Sequence, residues 1–152
     1  MGNFITDNII SEGSISGVTI SGNTFYGNGS GLTNVSATFS KSWDAGGGFI
    51  TTGNTRYLIS NTTCTINRWS IIATGTNPTC TIDIWKVGTG TSLPTVSNTI
   101  MGTKPILSTG NAVRSTITTG WTTLSITEGD IIAFNIDSVS NTLTLTFTLE
   151  VA

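Results

Sequence analysis

The residues with chemical potential in this chain are few. Glu128 and Asp130 are the only closely spaced pair of acids, the chemistry of a glycosidase, which needs two carboxylates flanking a scissile bond. Two positions apart at the entrance to a strand, they read as a solvated turn rather than as a catalytic pair. A calcium site is equally thin, because hard cations take several oxygen ligands and only these two acids cluster. The chain has no histidine, which removes every His-based triad and every His-containing metal site. Gly27-Asn28-Gly29-Ser30-Gly31 has the look of a phosphate loop, but no helix follows to present its N–H groups, so it reads as a turn. Cys64 and Cys80 are too few for a disulfide framework or a zinc site and read as small buried hydrophobes. Of the four tryptophans, Trp69 and Trp85 lie inside strand patterns, where a core or subunit-interface role is expected. Trp43 and Trp121 sit beside Gly and Asp or Thr, where an exposed indole can stack on a sugar ring. These two are the candidate receptor contacts. No catalytic residue, metal ligand or cofactor is expected.

Those side chains must be held by strands. The chain has 152 residues, among them 31 Thr, 18 Gly, 17 Ser and 13 Asn, while Glu and Lys occur three times each and Gln not at all. The usual filling of helix surfaces is therefore missing. Thr, Ile and Val make 57 residues, and β-branched side chains suit a pleated, half-buried surface, so the expected class is all-β. With 9% charged residues and a net charge of -2, nothing in the chain forms a basic patch for nucleic acid. No apolar run approaches the roughly 20 residues that span a bilayer, and no basic-then-apolar secretory signal opens the chain, so a soluble protein made in a cytosol is expected. Matches to the Asn-x-Ser/Thr acceptor pattern at Asn28, Asn34 and Asn61 carry little weight in that setting.

The pattern changes near residue 36. Before it, apolar residues come in short groups separated by Gly, and Ile15-Ser16-Gly17 recurs as Ile20-Ser21-Gly22. A segment this short cannot bury its own apolar residues and is expected to pack against copies of itself about a symmetry axis. Residues 1–36 are thus read as a short intertwined β stalk, with Ile15, Val18, Ile20, Phe25, Leu32 and Val35 as its core in a homotrimer. Residues 37–152 are read as one head domain of about eight strands, at 40–45, 56–60, 64–74, 79–87, 114–118, 122–126, 131–137 and 143–151. The last alternates strictly, apolar at Leu143, Leu145, Phe147, Leu149 and Val151 and polar between them, which predicts one buried and one wet face. Strands 64–74 and 79–87 flank Gly75-Thr76-Asn77-Pro78 and read as a hairpin; 131–137 and 143–151 read as antiparallel neighbours joined through 138–141. Residues 88–110, with Pro94, Pro105 and several Gly, form the longest irregular segment, the kind of loop that carries function on a rigid β scaffold. The expected fold is a jelly-roll β-sandwich.

Phe25-Tyr26-Gly27-Asn28-Gly29-Ser30-Gly31-Leu32-Thr33-Asn34-Val35 resembles the Gly-Asn/Asp-Gly-Ser-x-Leu-Thr-x-Val turn that recurs in the shafts and necks of bacteriophage fibres. Ile84-Trp85-Lys86-Val87, the stretch from Pro94 to Pro105, Gly120-Trp121 and the stretch from Gly129 to Val139 are similar to the C-terminal heads of phage fibre and spike proteins. The resemblance implies a non-enzymatic homotrimeric virion appendage, tail fibre or spike. Its N-terminal segment would be anchored to other virion proteins and its jelly-roll tip would bind a host surface receptor, a glycan or a protein. The alternative is a capsid-decoration or tail-assembly protein without receptor affinity. No receptor-contacting residue carries over from the resemblance, and neither nucleic acid nor membrane insertion is implied.

Overall fold

The computed structural model describes residues 37–116 and 118–152, so the expectations for 1–36, including the stalk core Ile15, Val18, Ile20, Phe25, Leu32 and Val35, lie outside the described residues. The described chain is all-β. Its strands are β1 (Ala37–Asp44), β2 (Thr55–Ile59), β3 (Cys64–Val87), β4 (Ile106–Leu107), β5 (Ala112–Ser115), β6 (Ser125–Ile126) and β7 (Ile131–Val151), with a single 3-10 turn at Val96–Asn98. They form one antiparallel sheet of seven strands.

Two strands dominate it. β3 and β7 run antiparallel from Val87↔Ile131 at one end to Ile66↔Val151 at the other. The free edge of β7 takes β2 along its first part, Thr55↔Asn135 to Ile59↔Ile131, and β1 along its second, Ala37↔Val151 to Asp44↔Thr144. The free edge of β3 takes β5 at Trp69↔Ser115 to Ile72↔Ala112, β4 at Cys80↔Leu107, and β6 at Cys64↔Ile126. The sheet thus has a β1 half, in the order β1-β7-β3-β5, and a β2 half, in the order β2-β7-β3-β4.

The halves meet at a corner. Gly75 pairs with Thr142 and Thr79 with Ser140, so Thr76, Asn77 and Pro78 oppose the single residue Asn141. Extra residues on one strand bend it and sharpen its twist. Asn77 and Asn141 take left-handed backbone angles, φ 52° and 51°, which Asn tolerates better than most side chains. Gly75 lies at φ 142°, and a Cβ there would stand 1.9 Å from the carbonyl oxygen of Asn141. Only glycine fits. The bend closes the sheet onto itself: Phe134 and Phe147 lie on the same strand, where 13 extended residues would separate them by roughly 40 Å, yet their ring centroids are 5.7 Å apart.

This geometry corrects two expectations. Segments 64–74 and 79–87 are not a hairpin but the two parts of β3, and 131–137 and 143–151 are not neighbours but the two parts of β7. Gly, Asn and Pro supply the backbone angles of a turn and of a corner alike, and each part gains a longer ladder by pairing with the other long strand. Pro78 escapes the ban on central proline because it lies in the unpaired bulge. The strand expected at 122–126 is reduced to β6, and β4 within the irregular segment was not foreseen.

Ile66, Ile71, Ala73, Ile82 and Ile84 of β3 and Ile132, Phe134, Ile136, Leu145, Phe147, Leu149 and Val151 of β7 form the centre of one buried cluster. Each large side chain contributes about 1.5–3 kcal/mol on burial. The period-two pattern of β7 holds from Leu145 to Val151 but inverts at the corner, where Thr142 is buried and Leu143 is 37% exposed. Cys64 and Cys80 are buried free thiols. On edge strand β1, Lys41 shares the row of Phe39 and Trp43, opposite Phe147, and an inward-set lysine discourages pairing with another chain's edge.

Candidate functional site

Residues 99–105 run along the free edge of β3 in the β2 half and are stitched to it. Thr99 forms a bridge with Trp85; the Ile100 N–H donates to the Ile84 carbonyl at 3.0 Å, and the Ile84 N–H donates to Met101 Sδ at 3.2 Å. Ile100 and Met101 are buried, so the middle of this segment is held as firmly as a strand. Beyond it, the Thr103 N–H donates to Thr119 O at 3.1 Å and the Thr122 N–H to Ile100 O at 2.8 Å. Gly102 and Gly120 touch backbone to backbone: a Cβ on Gly102 would lie 2.3 Å from the Gly120 oxygen.

Trp121 sits at this junction of two loops. Its indole Nε1 donates to Thr103 O at 2.8 Å, and its ring is half-buried against the core. One candidate contact is therefore a fixed, partly exposed aromatic surface. Trp43 is different. It is 2% exposed, inside the core, so the expectation of an exposed indole there is corrected: it registers opposite Leu145, and flanking Gly and Asp residues say nothing about which way a strand residue faces. Trp69 is buried and Trp85 half-buried.

Thr99 and Lys104 of this segment join a charged cluster. Asp83 and Asn135 oppose each other in register and are both buried. The Thr99 hydroxyl donates to Asp83 Oδ1 at 2.5 Å, Lys104 Nζ lies 2.9 Å from Asp83 Oδ2, and Lys104 also pairs with Asp137. Asn135 Nδ2 donates to Asp137 Oδ1 at 2.7 Å, and the Thr55 hydroxyl to Asn135 Oδ1 at 2.8 Å. Burial works against the Lys104 ammonium, but hydrogen bonds to Asp137 and Asp83 and the charges of both carboxylates outweigh it and raise its pKa above that of an ordinary lysine. Asp130 pairs with Lys86 at 2.7 Å and accepts the Thr127 N–H at 2.9 Å. It is buried, not solvated as expected, because it closes the turn that leads into β7; Glu128 is exposed. Cys80 is far from nucleophilic, since burial pushes its thiol up to about 11 against a smaller opposing hydrogen bond to the Leu107 backbone.

The other charged cluster lies on the outer face of the β1 half. Arg114 grips Glu150 with a fork, Nε to Oε1 at 2.7 Å and Nη2 to Oε2 at 2.6 Å, while Arg68 Nη1 reaches the same Oε2 at 3.2 Å. The Arg114 hydrogen bonds, with the charges of both guanidiniums, hold the Glu150 carboxyl below the usual carboxylate range against some desolvation. A cavity of about 430 Å³ opens here, lined by Arg68, Arg114, Ser115 and Thr116, and beside it one of about 290 Å³ that includes Arg114, Ile72 and Ala112.

Comparison with protein-family models, curated proteins and solved structures finds no match for this chain. Its chemistry is therefore read from the two clusters and the loop junction. Among the described residues no group of three or more His, Cys, Asp or Glu could hold a metal ion. In the sequence Asp83, Asp137 and Glu150 are isolated acids, and nothing nearby marks Arg68 or Arg114 as their partners. Glu150 stands 82 residues from one of its arginines and 36 from the other, and only the pairing of β3 with β5 and β7 unites them.

Proposed function

We propose that this chain is a bacteriophage tail-fibre or spike protein: a non-enzymatic homotrimer whose residues 1–36 form an intertwined stalk attached to other virion proteins. Its residues 37–152 would form a jelly-roll head that binds a host surface glycan. The observation that carries this reading is spatial. The stretches that resemble phage fibre heads lie apart in sequence but together in the fold: Trp85 pairs with Ala133 and bridges Thr99, Gly102 lies against Gly120, and Trp121 bonds Thr103. The jelly-roll assignment is supported by the strand orders β1-β7-β3-β5 and β2-β7-β3-β4, since two long strands that turn a corner together are what two interleaved Greek keys require. Exposed side chains such as Phe49, Ile59 (66% exposed) and Val96 suit a head that packs against other copies. Three weak sites on one trimer would act together by raising effective concentration.

The test has two readouts on the full chain. Light scattering should give the mass of a trimer, and labelled protein should bind host cells and be displaced by their purified surface glycan. A monodisperse monomer overturns the stalk. A trimer that binds neither cells nor glycan overturns the receptor role and leaves capsid decoration or tail assembly.

A further inference from the structure

We infer that the cavity beside Arg68 and Arg114 binds the carboxylate of an acidic sugar, a uronic acid unit of a surface polysaccharide; this rests on the head being a glycan-binding surface. Two guanidiniums converge on one oxygen of Glu150, so the cluster holds two positive charges against one negative. The other ion pairs of the described residues show no such excess. Lys86 is matched by Asp130, and Lys104 is outnumbered by Asp83 and Asp137. A guanidinium offers five N–H donors in a rigid fork, and towards Glu150 Arg68 gives one and Arg114 two. A second carboxylate entering the cavity relieves the repulsion between the arginines and neutralises the cluster.

The surroundings favour a sugar acid over a bare anion. The cationic site is a shallow groove open to solvent, as a sugar at the end or side of a polymer needs, and Ser115 and Thr116 line it beside the arginines. The neighbouring cavity continues along β3 and β5 to Ile72, 59% exposed, and Ala112, which oppose each other in register. A pyranose that places its carboxylate between the arginines lays a C–H face on this apolar shelf. The single excess charge matches the monoanionic carboxylate of a uronic acid.

Binding of galacturonate oligomers to the full chain, followed by calorimetry and by the Arg Nε–H resonances, tests this against carboxyl-reduced neutral oligomers and polyglycerol phosphate. The acidic oligomer should bind saturably, the neutral one not at all, and the phosphate polymer more weakly. Arg114→Gln and Arg68→Gln should each weaken binding by about tenfold or more. Glu150→Gln, which keeps a hydrogen-bond acceptor but removes the internal rival, should tighten it. A purely structural ion cluster would lose thermal stability in all three variants without that reversal of sign. Equal binding of neutral and acidic oligomers, no binding by the wild type, equal binding of the phosphate polymer, or unchanged affinity in Arg114→Gln and Glu150→Gln overturns the assignment. If Arg114→Gln still binds host cells like wild type, this inference falls while the receptor role stands; if the wild type binds neither cells nor their glycan, the receptor role itself falls.

Discussion

The β1 and β2 halves are built from the same two strands, yet their outer faces are finished in opposite ways. On the β1 half, hydroxyls meet across strands, Ser40 with Thr148 at 3.0 Å, Ser42 with Thr146 at 2.9 Å and Thr74 with Thr144 at 2.7 Å, and the face lies open. On the β2 half, Asp83 and Asn135 take the equivalent places but are buried, so each polar group must find a partner inside the protein, in Thr99, Lys104 and Thr55. Burying the polar residues of a sheet face turns them into structure, whereas leaving them exposed keeps them available to a ligand. The two ion clusters differ in the same way, with two cations on one carboxylate at Glu150 and two carboxylates on one cation at Lys104.

The largest effect should come from the corner both halves share. Gly75→Ala sets a Cβ against the Asn141 carbonyl at a backbone angle that L side chains avoid, and should cost about 3–5 kcal/mol in urea unfolding. Gly110→Ala, also at positive φ but with open space around it, should cost about 1 kcal/mol. Equal costs would mean that the close approach at the corner is unimportant. Next, Asp83→Ala removes a wholly buried partner of Lys104 and should cost about 3 kcal/mol. Arg68→Gln on the open half should cost distinctly less, and parity between the two would erase the contrast between buried and exposed polar residues. Smaller again, Trp121→Phe loses the bond to Thr103 and should cost about 1 kcal/mol, with faster amide exchange confined to the two loops it joins.

What was legible in the sequence was local. The alternation from Leu145 to Val151 placed a buried face correctly, and the lack of helix-forming residues fixed the class, because both follow from side chains and their immediate neighbours. The turn signals at 75–78 and 138–141 were located correctly but misassigned, since their residues suit a hairpin and a corner alike and only the long-range register of β3 on β7 decides. For the same reason Trp43 was placed outside and Asp83 left isolated. The burial of each is set by strands far away in sequence, Trp43 opposite Leu145 and Asp83 opposite Asn135.

The smallest predicted effect is a pH dependence carried by one shifted group in each half, Glu150 and Lys104. Glu150 has its carboxyl held low in the folded protein, so its contribution is complete above its unfolded pKa and disappears as pH falls through the lower folded value. Lys104 has its ammonium held high, so its contribution is complete below its unfolded pKa and disappears as pH rises through the higher folded value. Acid should therefore weaken the hold on Glu150, and alkali the hold of Lys104. In thermal unfolding across pH, Glu150→Gln should flatten the acid limb and leave the alkaline limb, while Lys104→Met should flatten the alkaline limb. Salt should reduce the Glu150 effect more than the Lys104 effect, since Arg114 is open to counterions whereas Asp83, which Lys104 pairs with, is wholly buried. If one variant altered both limbs equally, the halves would be a single electrostatic unit, and the excess positive charge at Arg68 and Arg114 would be balanced through the sheet rather than left for a ligand.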